Sequence, residues 1–258
     1  MIKIATGYCG PGGSTVVFNS LVNLFNENDM PACLYGRTQH KWDGIDCEFK
    51  DFNELLIKRD DTLIYHFMQL SQRFVCKKQI LSCHETNVFK IKDIPGLEYD
   101  AIHFVSQFQK DWQGVDGVVI PNPIRKFKKI KKDWFSAGII GSIDPNKRVH
   151  ESILRAKKDG FTTIRLYGRI TDFNYFYTKV EPLLSTDVSY NGVATDMDKI
   201  YAGLSHVYHS PELETYNLIK AECAAAGVTY VGNEGNDTKA EIWSNDRILQ
   251  AWKNLLLI

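Results

Sequence analysis

Short apolar runs recur along the whole chain and constrain its fold more than any other feature of the sequence. Each run is bounded by glycine, proline or charged residues, which is typical of strands buried on both faces. The runs are Ile2–Ala5, Ala32–Tyr35, Leu63–Phe67, Gln79–Cys83, Ala101–Val105 and Val118–Pro121, then Ala137–Gly141, Ile164–Gly168, Val188–Asn191, Val207–His209 and Val228–Gly232. We predict a buried strand at each of these positions.

Amphipathic segments between several of these runs indicate helices. The clearest is Ser14–Asn28, where Val17, Leu21, Leu24 and Phe25 form one apolar stripe and the serine is placed as the N-cap. Further helices are predicted over Glu151–Asp159, Asp172–Leu184, Asp196–Ala202, Thr215–Ala226 and Lys239–Leu257. Strands that alternate with helices predict an α/β fold with parallel sheets of Rossmann type.

The stretch 122–135, NPIRKFKKIKKDWF, interrupts this alternation with a proline and a dense run of basic residues. Charged, exposed linkers commonly separate compact domains, so we place a domain boundary here. The prediction is an N-terminal Rossmann-like domain over 1–123, a basic linker over 124–135 and a C-terminal Rossmann-like domain over 136–258. We expect the last helix to cross back over the domain junction.

Composition excludes several classes of protein. The 258 residues include 31 Lys+Arg and 31 Asp+Glu, and 44% are hydrophobic, which argues against a disordered chain, a fibrous repeat or a polycation. The six cysteines form no C-x-x-C pair, so we interpret them as free thiols in a reducing compartment. The start, MIKIATGYCG, is typical of a strand, and no apolar stretch approaches the ~18 residues of a membrane helix. We expect a cytoplasmic protein.

A glycine loop, GYCGPGGS over 7–14, follows the first predicted strand. Such a loop before a helix allows close backbone approach to a phosphate. It is not a Walker A loop, because Gly13 occupies the lysine position, and it does not match G-x-G-x-x-G. The second strand ends at Gly36-Arg37 without an acidic ribose ligand, which disfavours a dinucleotide-dependent oxidoreductase. A tight turn without a ligand remains the alternative.

Glu214 and Glu222 lie eight residues apart, at and within the predicted helix Thr215–Ala226. Along a helix axis this spacing spans about 12 Å, close to the distance from the sugar of a nucleotide sugar to its ribose. The alternative is a pair of solvated glutamates on a surface helix, and spacing alone favours that alternative.

The second half contains several motifs in a fixed order. They are GSIDPNKR at 141–148, IRLYG at 164–168, VSYNG at 188–192, a short helix over Met197–Gly203, and the segment Ser210–Gly227. In order and spacing they resemble the C-terminal domain of the family 4 glycosyltransferases, which are retaining enzymes of the GT-B fold. In the first half, Gly10–Gly13, the segment SCHE at 82–85, FVSQ at 104–107 and VIPNP at 119–123 resemble the family more loosely.

This resemblance implies two Rossmann-like domains that face each other across a cleft, in a compact version of GT-B. It implies transfer of a sugar from a nucleotide-diphosphate sugar, expected to be a UDP-sugar, to an acceptor hydroxyl with retention and without a metal. The catalytic residues implied are His84, Lys147 and Glu214. The donor-binding residues implied are Gly12, Gly13, Lys147, Arg148, Thr215, Tyr216, Asn217 and Glu222, with Lys147 on the diphosphate and Glu222 on the ribose.

Three departures from the family pattern affect the expected donor site. Ser142 stands where the family has a phosphate-binding arginine, and we expect Arg148 to replace it. The flexible G-F-G of the family is Thr215-Tyr216-Asn217 here. One extra residue between Ser210 and Glu214 makes Glu212 a rival for the first carboxylate.

The sequence leaves the acceptor open. Arg125, Lys128 and Lys129 belong to the basic run and are candidates for contact with a polyanion, although a solvated linker explains them equally well. A saccharide or small molecule is slightly preferred as the acceptor, and a hydroxymethylated base in DNA is the other candidate. The rival function is a GT-B relic of weak activity that binds a nucleotide sugar.

Overall fold

The computed structural model describes residues 1–66, 70, 72–85, 90–127, 135–193, 195–232 and 241–257. The chain divides into two compact units, Met1–Ile124 with Lys239–Ile258, and Arg125–Thr238. The first change of unit falls at the start of the predicted linker. The C-terminal helix belongs to the first unit; the sequence prediction counted it with residues 136–258 and had it cross back over the domain junction.

A parallel sheet forms the centre of the first unit. Its described strands are β1 (Ile2–Thr6), β2 (Ala32–Gly36), β3 (Phe49–Asp51), β4 (Thr62–His66), β5 (Lys78–Cys83), β6 (Ala101–Phe104) and β7 (Val118–Val119), in the order β3-β2-β1-β4-β5-β6-β7. Every residue of β1, β2, β4 and β5 is buried, which explains why each of these strands carries a group of apolar residues at its centre.

Helices α1 (Gly13–Asn26) and α2 (Gln107–Gln113), together with the C-terminal helix (Asn245–Leu257), pack on this sheet. The stripe of α1 and the apolar face of the C-terminal helix share one core, in which the rings of Phe25 and Trp252 meet edge to face at 5.9 Å. The side chain of Lys78 also donates to the carbonyl of Leu255 in the last turn of that helix. This packing is what assigns the end of the chain to the first unit.

The second unit contains its own parallel sheet. Its described strands are β8 (Ala137–Ile140), β9 (Ile164–Tyr167), β10 (Val188–Tyr190), β11 (His206–Tyr208) and β12 (Thr229–Val231), in the order β10-β9-β8-β11-β12. Its described helices are α3 (Val149–Lys158), α4 (Phe173–Tyr175, continued by a π turn over Phe176–Val180), α5 (Met197–Ala202) and α6 (Leu218–Ala226); the C-terminal helix is therefore α7. The predicted α/β fold with two parallel sheets is confirmed.

Several predicted boundaries are wrong for local reasons. Gly12, and not Ser14, is the N-cap of α1. The predicted helix Asp172–Leu184 is a short α segment followed by π and 3-10 turns. Helix α6 begins at Leu218 instead of Thr215, because the side chain of Asn217 accepts from the backbone N–H of Lys220 and caps the helix there.

Two elements were missed, the edge strand β3 and helix α2. Phe67, the predicted end of the third run, and Lys239, the predicted start of the last helix, lie outside the described residues. Across the part of the chain that the structure describes, no helix combines the length and apolarity that a membrane span requires.

Candidate active site

The strand order of the second unit identifies one edge of its sheet as a ligand-binding candidate. The chain runs from β8 outward through β9 to β10, and then returns to place β11 on the other side of β8. In open parallel sheets, ligands bind outside the carboxyl ends of the strands where the order reverses in this way. The loops after β8 and β11 carry the predicted residues Lys147 and Glu214.

Asp144 organises the loop after β8. Its Oδ1 accepts from the backbone N–H of Lys147 at 2.9 Å, and its Oδ2 accepts from the hydroxyls of Ser142 at 2.6 Å and Thr171 at 3.3 Å. The carboxylate therefore fixes the backbone that presents Lys147. Ser142, at the position of the family arginine, contributes a hydroxyl to this loop and no positive charge.

Asn146 joins this loop to the loop after β11. Its side-chain amide donates to the carbonyl of Leu213 and accepts from the N–H of the same residue, both at 3.1 Å. Its own carbonyl accepts from the N–H of Glu212 at 2.7 Å. These bonds place Glu214 opposite Lys147. Sequence reasoning did not identify Asn146 as a site residue.

Lys147, His209 and Glu214 form a cluster that we call the switch-point cluster. The ammonium of Lys147 pairs with Glu214 Oε1, and His209 Nε2 lies 2.9 Å from the same oxygen. The side chains of Lys147 and Glu214 are 22% and 13% exposed. Burial alone would raise the pKa of Glu214, but Lys147 and His209 outweigh it and hold that pKa at about 2. Glu214 is thus a carboxylate at neutral pH, and its Oε2 has no hydrogen-bond partner among the described residues.

Arg148 adopts an unusual backbone conformation at the start of α3. Its φ of 44° and ψ of 47° are left-handed, which costs a non-glycine residue about 1–2 kcal/mol. The glycosyltransferase family that this sequence resembles has glycine at this position. The guanidinium of Arg148 pairs with Glu212 at 3.3 Å and with Glu151 at 3.8 Å. Glu212, the rival first carboxylate, thus lies against Arg148, while Glu214 lies against Lys147.

Thr215, Tyr216 and Asn217 precede α6 and do not form its first turn. Asn217 caps the helix and also donates to the hydroxyl of Tyr230 at 2.6 Å. Tyr216 is 6% exposed, its hydroxyl has no partner within the described residues, and burial raises its pKa to about 12. One N–H group of the helix terminus, that of Lys220, is therefore already used by the cap, which reduces the number available to an anion.

Glu222 is buried inside the second unit, 3% exposed. The hydroxyl of Tyr201 donates to its Oε2 at 3.0 Å, and Arg125 Nε lies 3.4 Å from its Oε1. Burial raises the pKa of Glu222, and Arg125 and Tyr201 oppose that rise. Arg125, a candidate for contact with a polyanion, is thus placed against a carboxylate. Lys128 and Lys129, the other two candidates, lie outside the described residues.

The glycine loop of the first unit leads into α1 without a side-chain cap. Gly12 and Gly13 are not left-handed, and a Cβ atom added to Gly13 would meet no atom within 4 Å. The fold therefore does not require glycine at position 13. A residue without a side chain there leaves the first turn of α1 open to a ligand, which favours the ligand-binding interpretation of the loop over a simple turn.

A chain of hydrogen bonds fixes the protonation of His84. His103 Nε2 lies 2.7 Å from the carbonyl of Ile120 and must donate to it. Burial lowers the pKa of His103 to about 4, so its Nδ1 is unprotonated and accepts from the hydroxyl of Ser82 at 2.9 Å. The Ser82 oxygen then accepts from His84 Nε2 at 3.1 Å.

His84 therefore presents an unprotonated Nδ1, which has no partner in the described part of the chain. Burial, with His66 and His103 nearby, lowers the pKa of His84 well below its usual value and keeps the ring neutral. Such a nitrogen accepts a hydrogen bond from a hydroxyl and does not attract an anion. The ring of His66 lies next to that of His84, and its Nε2 lies 2.8 Å from Glu85 Oε2.

Sequence reasoning missed His66, His103 and His209 as members of these clusters. All three lie at or near the carboxyl ends of buried strands: His66 ends β4, His103 lies within β6, and His209 directly follows β11. Because parallel strands bring these ends to one edge of a sheet, a polar residue at the end of an apolar run was the signal that could have found them.

Comparisons with known proteins show the fold. No protein-family model matches the sequence, and no curated protein matches it. Among solved structures, the chain is similar to AviGT4, a glycosyltransferase involved in avilamycin A biosynthesis, with 17% identity, a TM-score of 0.67, and coverage of 98% of this chain and 88% of that one. It is similar to an alpha-glucosyltransferase in complex with UDP and a 13-mer DNA containing an HMU base, with 13% identity, a TM-score of 0.64, and coverage of 99% and 89%.

A further similarity is to WaaG, a glycosyltransferase involved in lipopolysaccharide biosynthesis, with 11% identity, a TM-score of 0.58, and coverage of 100% and 91%. These are glycosyltransferases of the GT-B fold, which contains two Rossmann-like domains. The chain has this fold.

Proposed function

We propose that the protein is a glycosyltransferase that moves a sugar from a nucleotide-diphosphate sugar to an acceptor hydroxyl with retention of anomeric configuration. The observation that carries this proposal is the switch-point cluster. A lysine and an ionised glutamate lie together at the reversal of strand order, next to the N-terminus of α6.

Lys147 is the group proposed to stabilise the leaving diphosphate. Negative charge grows on the diphosphate as the glycosidic bond breaks, so a fixed cation interacts more strongly with the transition state than with the ground state. The loop held by Asp144 fixes the backbone of Lys147 before the donor binds. The N-terminus of α6 adds a partial positive charge on the same side of the sheet.

Glu214 is the group proposed to bind the hydroxyls of the donor sugar. Its carboxylate accepts hydrogen bonds only, and Oε1 is already held by Lys147 and His209. Oε2 is available for a hydroxyl. When a diphosphate competes for Lys147, His209 still orients the carboxylate.

Glu222 is the proposed ribose ligand, and Arg125 supports it. A buried carboxylate tends to take up a proton, and a protonated Glu222 would offer a ribose diol one acceptor fewer. The nearby guanidinium of Arg125 favours the ionised form. In the first unit, Gly12 and Gly13 are proposed to approach the donor phosphates, and His84 Nδ1 to accept from a donor hydroxyl.

The donor is proposed to be a UDP-sugar, used without a metal ion. Solved structures that resemble this chain contain UDP, which supports that nucleotide. For the acceptor we propose a saccharide or small molecule. A hydroxymethylated base in DNA is the second candidate, favoured by the similarity to an alpha-glucosyltransferase bound to DNA.

Donor hydrolysis tests the proposal without knowledge of the acceptor. The purified protein is incubated with a panel of nucleotide sugars, released nucleoside diphosphate is quantified, and the anomer of the released sugar is followed by proton NMR. We expect slow hydrolysis of one UDP-sugar with initial release of the α anomer from an α-linked donor. Lys147→Ala should abolish it, and Lys158→Ala, an exposed lysine at the end of α3, should not.

Two outcomes would contradict this proposal. Binding of a nucleotide sugar without any turnover would favour the GT-B relic that only binds. Equal hydrolysis by wild type and Lys147→Ala would remove the role assigned to the switch-point cluster.

A further inference from the structure

A cavity of about 370 Å³ lies in the first unit at the carboxyl ends of β6 and β7. Its volume falls within the range of about 300–1,000 Å³ that is usual for small-molecule sites. The residues that matter for its chemistry are Ser106, Gln107, Phe108, Pro121, Glu241 and Trp243. None of them belongs to the switch-point cluster or to the catalytic and donor-binding residues predicted from the sequence.

Three side chains of the C-terminal segment hold one another in place at this cavity. The indole N–H of Trp243 donates to Glu241 Oε2 at 2.8 Å, and Arg247 Nη1 lies 3.6 Å from the same oxygen. The guanidinium of Arg247 also lies over the Trp243 ring, 3.7 Å from its centroid. The ring and the carboxylate are thus positioned before any ligand binds.

The lining combines aromatic rings with a carboxylate oxygen that can accept a hydrogen bond. Trp243 and Phe108, which is 38% exposed, provide aromatic surface. Glu241 Oε1 has no hydrogen-bond partner within the described residues, and its side chain is 70% exposed. The charges of Glu241 and Arg247 offset each other, and the described lining residues include no cation.

We propose that this cavity binds a saccharide, as the acceptor subsite of the proposed glycosyltransferase; the acceptor role rests on that function. A pyranose has an apolar face of C–H groups and a rim of hydroxyls. The aromatic rings fit the apolar face, and a carboxylate oxygen accepts from the hydroxyls. A nucleic acid phosphate would be repelled by Glu241, and among the described lining residues there is no cation to compensate it.

The cavity wall is connected to the loop that carries His84. Gln109, buried in α2, accepts from the N–H of Val105 at 2.9 Å and donates to the carbonyl of Glu85 at 3.1 Å. Val105 follows β6, and β6 pairs with β5, after which His84 lies. A saccharide in the cavity would therefore lie at the same sheet edge as His84.

The test separates saccharide binding from catalysis. Ligand-observed NMR with a panel of methyl glycosides and disaccharides measures binding to wild type, Glu241→Gln, Trp243→Ala and the control Phe173→Ala, which removes an exposed aromatic ring of α4. We expect one saccharide class to bind wild type and Phe173→Ala alike. Trp243→Ala should weaken binding about tenfold or more, and Glu241→Gln, an exposed substitution that keeps the shape, about threefold or more.

Donor hydrolysis by the same variants should be unchanged, because the cavity is not assigned to the donor. The inference is overturned if no saccharide binds wild type, or if both cavity variants bind like wild type. It is also overturned if a hydroxymethylated oligonucleotide is the acceptor and Trp243→Ala modifies it normally. Saccharide binding without any donor hydrolysis would leave the cavity as a saccharide site and reject the proposed transferase.

Discussion

Replacing Lys147 by methionine removes the cation from a nearly buried ion pair and leaves Glu214 with His209 as its neighbour. A fall in the Glu214 pKa from 4.5 to about 2 corresponds, at about 1.4 kcal/mol per pH unit, to about 3 kcal/mol of stability at neutral pH. Removing one partner of a buried ion pair leaves the other charge uncompensated, so Lys147→Met is expected to cost on the order of 3 kcal/mol.

The sign of the pH dependence follows from the lowered pKa. Folding lowers the Glu214 pKa, so the stabilisation is present above its ordinary value of 4.5 and is lost as the pH falls through about 2. The difference between wild type and Lys147→Met should therefore be largest near neutral pH. It should shrink between pH 5 and pH 2, as Glu214 becomes protonated.

Urea unfolding followed by circular dichroism from pH 7 to pH 3 measures this difference. Lys158→Met is the control for loss of a surface lysine. The double variant Lys147→Met with Glu214→Gln should recover part of the stability, because no unpaired carboxylate is left buried. A difference that stays constant with pH, or a double variant less stable than Lys147→Met, would refute the reasoning.

Three further changes test other parts of the site. Arg125→Gln should weaken UDP binding about tenfold by calorimetry while Arg125→Lys retains it, because a cation at this position opposes the rise in the Glu222 pKa that burial causes. Equal affinities in both variants would contradict this role. Gly13→Ala should leave the melting temperature nearly unchanged, because the added Cβ meets no atom within 4 Å, and should raise the donor KM about tenfold. An unchanged KM would favour the interpretation of the loop as a simple turn without a ligand. Ser82→Ala should lower kcat for donor hydrolysis several-fold and leave UDP affinity unchanged, because His84 loses the hydrogen bond that fixes its tautomer. An unchanged kcat would contradict the role given to this chain of hydrogen bonds.

The sheets could be predicted from the sequence because their strands are buried on both faces. Segments such as Ala32–Gly36 are then continuous apolar runs that differ clearly from the polar loops around them. Strand β3 is a short edge strand, Phe49–Asp51, with none of its residues fully buried, so its sequence lacks that signal. Helix α2 was missed, although Ser106 caps its start and Gly114 ends it in a left-handed conformation.

The contacts within the site were less predictable, since they join loops that are distant in sequence. That Glu214 and not Glu212 lies beside Lys147 depends on the two bonds between the Asn146 side chain and the backbone of Leu213, across 67 residues of sequence. Helix α6 was predicted to begin at Thr215, and the structure begins it at Leu218. The sequence pattern does not reveal that the side chain of Asn217 accepts from the backbone N–H of Lys220 and caps the helix there.

The central claim is that Lys147 binds the diphosphate of the donor, and calorimetric titration of UDP and of uridine tests it most directly. We predict that Lys147→Ala lowers the affinity for UDP at least about tenfold and leaves the affinity for uridine, which has no diphosphate, unchanged. Equal losses for the two ligands, or no loss for UDP, would contradict the account.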